Sequence, residues 1–172
     1  LYERIGKEFA EVKSGRGSTL GEIAAKELKF LVGKTAPNVE SVNLEGKKVQ
    51  LTDYKGKVVV LDIWATWCPP CRGMIPHERD MVKKLKEKPF ALISISADAK
   101  KDTLETFIEK TPMPWTHWWN GQKGGILEDW NIRAFPTIFV LDNKGVIRYK
   151  FIGDPKEKLE EAVEKLVAEV KK

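Results

Sequence analysis

Apolar positions in the first 32 residues recur every three or four residues, which is the period of an amphipathic helix. One such face spans residues 1–12 and stops at a Ser-Gly-Arg-Gly break. A second helix opens with Thr19 and Glu22, which have the spacing of a capping box, and Gly33 is placed to end it. The pattern predicts a helical N-terminal extension over residues 1–32 that packs against the rest of the chain or binds a partner.

From residue 34 onward, short apolar runs alternate with turn residues. Residues 39–44 and 49–51 flank a Glu-Gly-Lys turn and predict a β-hairpin. Residues 57–64 (KVVVLDIW) are almost continuously apolar and β-branched, as in a central strand buried on both faces. The further predicted elements are, in order, a helix over 69–88, a strand over 90–97, helices over 102–110 and 126–130, strands over 136–141 and 146–152 joined by a turn, and a helix from 155. This order predicts an α/β domain over residues 33–172, with a central mixed β-sheet flanked by helices.

Composition and charge exclude several classes of protein. The 172 residues, 42% of them apolar, fit one globular domain with a substantial core. No apolar run approaches the ~20 residues of a membrane-spanning helix, so a membrane tether would lie outside this chain. The net charge of +5 is spread along the chain, and its densest basic run, four lysines between 83 and 88, is expected to be a solvated helix face. We therefore predict no nucleic-acid partner. Because the chain begins at Leu1 rather than Met, we expect a processed product or an excised domain.

Two cysteines, Cys68 and Cys71, stand where the predicted central strand passes into a helix. Side chains three residues apart in a first helical turn have Cβ atoms about 5–6 Å apart, close enough to form a disulfide after a slight adjustment. Free N–H groups and the helix dipole would lower the pKa of the Cys68 thiol and make it the nucleophile. Cys71, one turn in, would be shielded and act as the resolving thiol. Since Pro69 and Pro70 lack N–H groups, the N–H of Cys71 is the predicted donor to the Cys68 sulfur.

Half of a zinc site is the alternative interpretation of this cysteine pair. Only His77 and His117 could complete such a site, and their spacing matches no common zinc module. A second cysteine pair is missing from the sequence. We therefore predict no metal, and no cofactor other than a redox-active disulfide between Cys68 and Cys71.

The residues around this motif resemble a known family. LDIWATWCPPC at residues 61–71 is similar to the active-site strand and turn of thioredoxin-like proteins, and Pro76 matches the proline inside their active-site helix. Ala-Phe-Pro-Thr at residues 134–137 matches the loop that holds their cis-proline. Residues 36–57 resemble the added N-terminal hairpin of the TlpA/ResA-type branch, which comprises bacterial extracytoplasmic thiol–disulfide oxidoreductases of the AhpC/TSA–redoxin group. The resemblance covers about residues 33–171.

This resemblance implies a thioredoxin-like fold and an enzyme that reduces or exchanges protein disulfides. The Cys68 thiolate would attack a substrate disulfide, and Cys71 would then release the reduced substrate and leave the Cys68–Cys71 pair oxidised. The implied partners are protein disulfide or dithiol substrates and an upstream thiol electron donor. The implied location is the bacterial periplasm or cell envelope, and we expect the chain to act as a monomer.

A substrate surface is predicted beside the dithiol. A cis Phe135–Pro136 bond would leave the Phe135 backbone free to pair with a substrate strand, whereas a trans proline that merely starts a strand is the alternative. Trp67 is expected to be exposed next to the disulfide, with Pro69 and Pro70 completing the surface. Four further tryptophans that precede the proline loop are expected either in the core or on this surface.

One position departs from the TlpA/ResA-type pattern. That branch has a glutamate three residues after the second cysteine, where this chain has Met74. Asp62, six residues before Cys68, instead matches the buried carboxylate of ordinary thioredoxins. A carboxylate behind Cys71 would accept the proton of that thiol, and burial would raise its pKa toward the working range. A structural aspartate with a satisfied hydrogen bond is the alternative, but a charge inside an apolar strand favours the functional interpretation.

Two other functions stay open at this point. The wider AhpC/TSA group includes peroxiredoxins, which would make the chain a thiol peroxidase, although here Thr66 precedes a CxxC pair instead of lying in a peroxidatic pocket. A non-catalytic binding module with the same fold is the third interpretation. The joint presence of Cys68, Cys71, Asp62 and Pro136 argues against it.

Overall fold

One mixed β-sheet of seven strands organises this computed structural model, which describes residues 1–15 and 17–170. The strands are β1 Glu40–Asn43, β2 Lys48–Gln50, β3 Val58–Trp64, β4 Phe90–Ser96, β5 Thr116–Trp119, β6 Thr137–Leu141 and β7 Ile147–Ile152. The helices of the described residues are α1 Tyr2–Glu8, α2 Leu20–Lys29, α3 Pro69–Lys84, α4 Lys101–Lys110, α5 Gly125–Asp129, α6 Lys156–Glu169 and a 3-10 helix, Leu51–Tyr54. In space the strands run β2-β1-β5-β4-β3-β6-β7, which confirms the predicted α/β class with a mixed sheet flanked by helices. Arg16, within the predicted helix break, and Lys171 and Lys172, at the end of the predicted domain, lie outside the described residues.

β3 is the central strand that the apolar run predicts. It pairs in parallel with β4 and antiparallel with β6, and every one of its residues is buried. Because side chains alternate between the faces of a strand, Leu61 and Ile63 pack on one side of the sheet, while Val60 and Trp64 face α3 on the other. Asp62 lies between Val60 and Trp64 on that second face. The strand therefore carries one acid toward α3 in an otherwise apolar layer.

α3 begins directly after Cys68. The proline pair that follows occupies the first two helical positions, where the missing N–H groups would have no intrahelical partner. Pro76 lies inside the helix, as the resemblance implies. The helix ends at Lys84 and not at the predicted residue 88, because the residue before Pro89 is disfavoured in the helical conformation and the chain turns there into β4.

α1 is shorter than its apolar pattern predicts. It ends at Glu8, so Phe9 and Val12 lie beyond the helix and remain half-exposed. The start of α2 takes up the space that a longer α1 would need. The N–H of Gly21 donates to the Ala10 carbonyl oxygen, and a Cβ at Gly21 would lie only 2.9 Å from that oxygen.

α2 begins with the predicted capping box. Thr19 Oγ1 accepts the Glu22 N–H, and the Glu22 carboxylate accepts the Thr19 N–H. The helix ends one residue before Phe30, whose side chain turns into the core. Gly33 is left-handed, with φ of 92°, yet it lies beyond the helix end and does not cap it as predicted. Its N–H instead donates to the Ile147 carbonyl oxygen at 2.7 Å and brings the chain alongside β7.

β5 is a strand that the sequence pattern does not predict. It pairs in parallel with β4 and antiparallel with β1, and it thereby joins the N-terminal hairpin to the main sheet. Its sequence, THWW, follows Pro114 and has no alternation of apolar and polar residues. In the hairpin itself, β2 ends at Gln50, and Leu51 begins the 3-10 helix where the strand was expected to continue.

The extension contributes to the core of the domain that follows it. Phe30 is buried, and its ring centroid lies 5.0 Å from that of Trp130 and 6.5 Å from that of Phe139. Elsewhere in α2, Glu27 pairs with Lys150 of β7 across 3.7 Å. The predicted boundary after residue 32 therefore separates two sequence patterns, but side chains before it pack against side chains after it.

We expect Phe30→Ala to lower the free energy of unfolding by about 3–5 kcal/mol, because it leaves a cavity between two buried aromatic rings. Phe9→Ala is the matched control, since Phe9 is 49% exposed, and it should change stability by less than about 1 kcal/mol. Urea unfolding of the oxidised protein measures both. A loss of less than about 1 kcal/mol for Phe30→Ala as well would mean that Phe30 does not tie the extension to the domain.

Candidate active site

Cys68 and Cys71 form a disulfide at the start of α3, with an S–S distance of 2.08 Å and a Cα–Cα distance of 5.3 Å. Cys68 is the N-cap residue, and its Sγ accepts the Cys71 N–H at 3.3 Å, which confirms the predicted donor. The two residues are 4% and 3% exposed, so exposure does not distinguish them. Their positions do, because Cys68 precedes the first helical residue, where the helix dipole favours a negative charge, and Cys71 lies within the first turn.

Asp98 holds the loop that leads into Cys68. Its carboxylate accepts the Thr66 N–H at 3.1 Å, the Thr66 hydroxyl at 2.7 Å and the Ser96 hydroxyl at 2.6 Å. The Trp119 indole N–H donates to the Asp98 carbonyl oxygen at 2.8 Å. Because β3 and β4 run parallel, Thr66 and Asp98 leave the sheet at the same edge. A buried, hydrogen-bonded carboxylate thus fixes the backbone two residues before Cys68.

Trp67 and Phe135 form the apolar side of the site. Trp67 is 56% exposed, as predicted, and its ring meets that of Phe135 edge-on at 5.6 Å. The Phe135–Pro136 bond is cis, as predicted. Since Ile63 at the end of β3 pairs with Thr137 at the start of β6, the proline loop lies at the same edge of the sheet as the dithiol. Of the residues of the predicted substrate surface, Trp67, Pro69 and Pro70 are exposed and Phe135 is half-buried, whereas Pro136 is buried.

The four tryptophans before the proline loop are all buried or half-buried. Trp118 and Trp130 are fully buried in the core. Trp115 and Trp119 are half-buried, and their indole N–H groups donate to Ser94 and to the backbone after β4. The expectation that some of them form the core is confirmed.

The histidines have separate environments. His117 of β5 is buried with its Nε2 2.9 Å from the Met113 carbonyl oxygen, and burial lowers its pKa. His77 lies on α3, 3.9 Å from the Glu160 carboxylate. Within residues 1–15 and 17–170, no group of three or more His, Cys, Asp or Glu side chains could hold a metal ion. No helix in that part of the chain has the length and apolar character needed to cross a membrane.

Asp62 is buried on the face of β3 that meets α3. Its register partner on β4 is Ser94, whose hydroxyl oxygen accepts the Trp115 indole N–H at 2.7 Å. Burial raises the pKa of Asp62 to about 7, and a hydrogen bond with Ser94 lowers it only in part. The Asp62 Oδ1 atom is buried without a hydrogen-bond partner. This environment favours a carboxyl group that gains or loses a proton near neutral pH over the alternative of a fully satisfied structural acid.

Glu78 is a second buried acid, and the sequence prediction misses it. It lies on α3 two turns after Cys71, is 1% exposed, and has an Oε1 atom without a hydrogen-bond partner. Burial raises its pKa well above the usual range, and the charges of Asp62 and Asp154 raise it further. Met74, where the TlpA/ResA-type branch has its glutamate, is also buried on α3. The structure therefore places a buried acid on α3 one helical turn after Met74.

The two missed residues do leave signals in the sequence. Glu78 is an acid at helical spacing from Cys71 and Met74, on the face of α3 that is otherwise apolar. Asp98 directly follows an apolar strand, at the edge where the carboxyl ends of parallel strands meet. Either signal could have placed the residue near the dithiol once the order of the strands was known.

Known proteins share both the sequence and the fold of this chain. The model of the AhpC/TSA family matches residues 32–150. The thiol-disulfide oxidoreductase ResA of Bacillus cereus is 35% identical over 144 residues, which span 83% of this chain and 82% of that protein. The solution structure of a thiol:disulfide interchange protein from Bacteroides sp. is 30% identical, with a TM-score of 0.73 over 81% of this chain and 92% of that chain. The thioredoxin domain of a thiol-disulfide oxidoreductase from Bacteroides vulgatus is 29% identical, with a TM-score of 0.72 over 80% of this chain and 98% of that chain. The predicted thioredoxin-like fold is therefore confirmed.

Asp98→Ala should lower the free energy of unfolding by about 1–3 kcal/mol, because the Thr66 and Ser96 donors lose a buried acceptor. Hydrogen exchange of the Thr66 amide should become faster, since that N–H then has no partner. Asp129→Ala, which removes an exposed carboxylate, is the control and should change neither quantity measurably. Unchanged exchange at Thr66 would show that Asp98 does not hold the loop.

Asp62→Asn should stabilise the oxidised protein in a way that depends on pH. Since the folded-state pKa of Asp62 is raised to about 7, folding of the native chain becomes less favourable as the pH rises from about 4 to 7. The variant lacks this loss, so its advantage in unfolding free energy should grow by about 4 kcal/mol over that interval. Guanidinium unfolding at several pH values measures the difference. Asp80→Asn, which removes an exposed carboxylate of α3, should give a flat difference, and a flat difference for Asp62→Asn would mean that its pKa is not raised.

Proposed function

This chain belongs to the AhpC/TSA family and is a thiol–disulfide oxidoreductase, and from that premise we propose how its residues divide the reaction. Cys68 is the attacking thiol, Cys71 is the resolving thiol, and the substrates are disulfides of other proteins. The observation that carries this assignment is the N-cap position of Cys68, whose sulfur accepts the Cys71 N–H.

The end of the helix supports the choice of Cys68 as the nucleophile. In the reduced protein, a thiolate on Cys68 faces the positive end of the α3 dipole and keeps the Cys71 N–H within reach, and both favour the charged form. Pro69 and Pro70 contribute no N–H groups, so this stabilisation comes from Cys71 and from the dipole. Cys71 lies within the first helical turn, and its sulfur is bonded to that of Cys68, so it is placed to resolve a mixed disulfide on Cys68.

The reaction then follows thiol–disulfide exchange. The Cys68 thiolate attacks one sulfur of the substrate disulfide, forms a mixed disulfide and releases the other substrate sulfur as a thiolate. Cys71 gives its proton to the Asp62 carboxylate, and its sulfur bonds to Cys68 as the bond between Cys68 and the substrate breaks. The substrate leaves as a dithiol after taking up protons, and the enzyme holds the Cys68–Cys71 disulfide. An upstream protein dithiol returns the two electrons.

Trp67, Pro69, Pro70, Phe135 and Pro136 form the proposed substrate surface. Trp67 and the two prolines of the motif are exposed beside the buried disulfide. Phe135 packs against the cluster that contains both cysteines and supports the Trp67 ring from the side. An extended substrate segment would pair with the backbone of Phe135 and bring its disulfide to Cys68.

The proposed location is extracytoplasmic, in the periplasm or cell envelope, and the proposed active form is a monomer. The similarity to the TlpA/ResA-type branch supports the location. The pairing of the two cysteines with each other favours disulfide exchange over peroxide reduction as the main activity, since the partner that resolves Cys68 lies one helical turn away.

Substitution of each cysteine tests the division of roles. Reduced Cys71→Ser, mixed with a disulfide-bonded protein such as insulin, should accumulate a mixed disulfide through Cys68, because no resolving thiol releases it. Cys68→Ser should form at least about tenfold less of this adduct, since Cys71 lacks the helix-end stabilisation. Non-reducing electrophoresis and mass spectrometry measure the adduct. Accumulation with Cys68→Ser and not with Cys71→Ser would reverse the two roles.

A further inference from the structure

We propose that Asp62 and Glu78 form one coupled acid pair behind Cys71, in which Glu78 is a positioning residue that sets the pH range over which Asp62 accepts the Cys71 proton. The proposal rests on the proposed function of Asp62 as the base for Cys71. It adds a residue of α3 that lies away from the position where the TlpA/ResA-type branch has its glutamate.

The placement of the two acids follows from the faces of β3 and α3. Asp62 lies between Val60 and Trp64, and Val60 packs in the cluster that contains Met74. Trp64 packs in the cluster that contains Cys71. Asp62 therefore points at the stretch of α3 that runs from Cys71 to Met74 and beyond. Glu78 lies one turn further along the same buried face of the helix.

Neither acid has the partners that a buried charge requires. Asp62 Oδ1 and Glu78 Oε1 are both buried without a hydrogen-bond partner. Within the described residues, no ion pair connects a lysine, arginine or histidine with either carboxyl group. Two carboxylates in such a site cannot both ionise near neutral pH, because each would lack solvation and repel the other. The pair therefore holds at least one proton there.

The two charges that raise the pKa of Glu78 are both acidic. Asp62 faces it from β3, and the exposed Asp154, which pairs with Lys156 at 3.0 Å, acts on it from the loop before α6. On α6 itself, the Glu160 carboxylate pairs with Lys84 at 2.9 Å and lies 3.9 Å from His77 of α3. On β5, His117 pairs in register with Ser94, and burial lowers its pKa, which favours the neutral form.

A second carboxyl group beside Asp62 changes how strongly Asp62 attracts the Cys71 proton. Singly ionised, it takes the proton of the Cys71 thiol and becomes neutral, while the Cys71 sulfur bonds to Cys68 and the substrate sulfur leaves with the electron pair. The proton then passes to water or to the departing thiolate. When Glu78 also ionises at alkaline pH, its charge makes Asp62 a stronger base, and the two groups titrate in two shared steps.

Glu78→Gln isolates this effect, because the amide matches the protonated acid in shape and never ionises. Reduced protein mixed in a stopped-flow instrument with an aromatic disulfide reagent releases one coloured thiolate when Cys68 attacks and a second when Cys71 resolves. The first phase should be unchanged in the variant. The second should match the native protein within about twofold at pH 6 and be slower by about threefold or more at pH 9, as expected when the base weakens by one pKa unit. Asp80→Asn, with an exposed acid on the same helix, should leave both phases unchanged.

Carbon-13 NMR of the side-chain carboxyls gives a readout without turnover. In the oxidised native protein, the Asp62 signal should shift in two steps with pH, and in Glu78→Gln it should shift in one. If Glu78→Gln folds poorly, Glu78→Met, which resembles its buried neighbours on α3, should show the same single step. The acid pair is wrong if the Glu78 variants change neither the pH titration of the Asp62 signal nor the rate of the second phase.

Asp62→Asn separates failure of the pair from failure of the underlying function. If Asp62→Asn slows the second phase while the Glu78 variants leave both readouts unchanged, only the acid pair is wrong. If Asp62→Asn also leaves the second phase unchanged, Asp62 is not the base for Cys71, and both proposals are wrong.

Discussion

The burial of β3 on both faces is the constraint on which the rest of the site depends. The strand is paired on both sides and covered above and below, so the loop that leaves its end starts from a fixed place. Asp98 then holds that loop, and α3 begins directly after Cys68. The same burial keeps water from the one acid in the strand, Asp62. One packing constraint therefore both positions the dithiol and raises the pKa of the acid behind it.

The elements that sequence reasoning predicts correctly are those whose signals are local. The run of β-branched residues predicts β3, and the capping box of Thr19 and Glu22 predicts the start of α2, because each signal acts within a few residues. β5 is different, since its four residues become a strand only through pairing with β4 and β1. The early end of α1 likewise depends on a contact between Gly21 and Ala10 that no helical periodicity contains.

The same distinction applies to the candidate site. Cys68, Cys71 and Trp67 stand together in the sequence, and the proline loop carries its own motif, so each could be proposed without a structure. Asp98 and Glu78 belong to no such motif. Their contribution depends on which strand ends lie side by side and which face of α3 meets the sheet. Those facts are set by tertiary packing.

Three buried acids around one dithiol differ in how they are hydrogen-bonded, and this difference separates their roles. Asp98 accepts hydrogen bonds from Thr66 and Ser96, so its burial strengthens the loop that it holds. Asp62 and Glu78 each keep an oxygen without a partner, and their raised pKa values mean that they weaken the fold as the pH rises. Buried polar atoms without hydrogen-bond partners are expected mainly at functional sites. Asp62 and Glu78 lie on the faces of β3 and α3 that meet near Cys71, the thiol to which the proposed mechanism assigns a base.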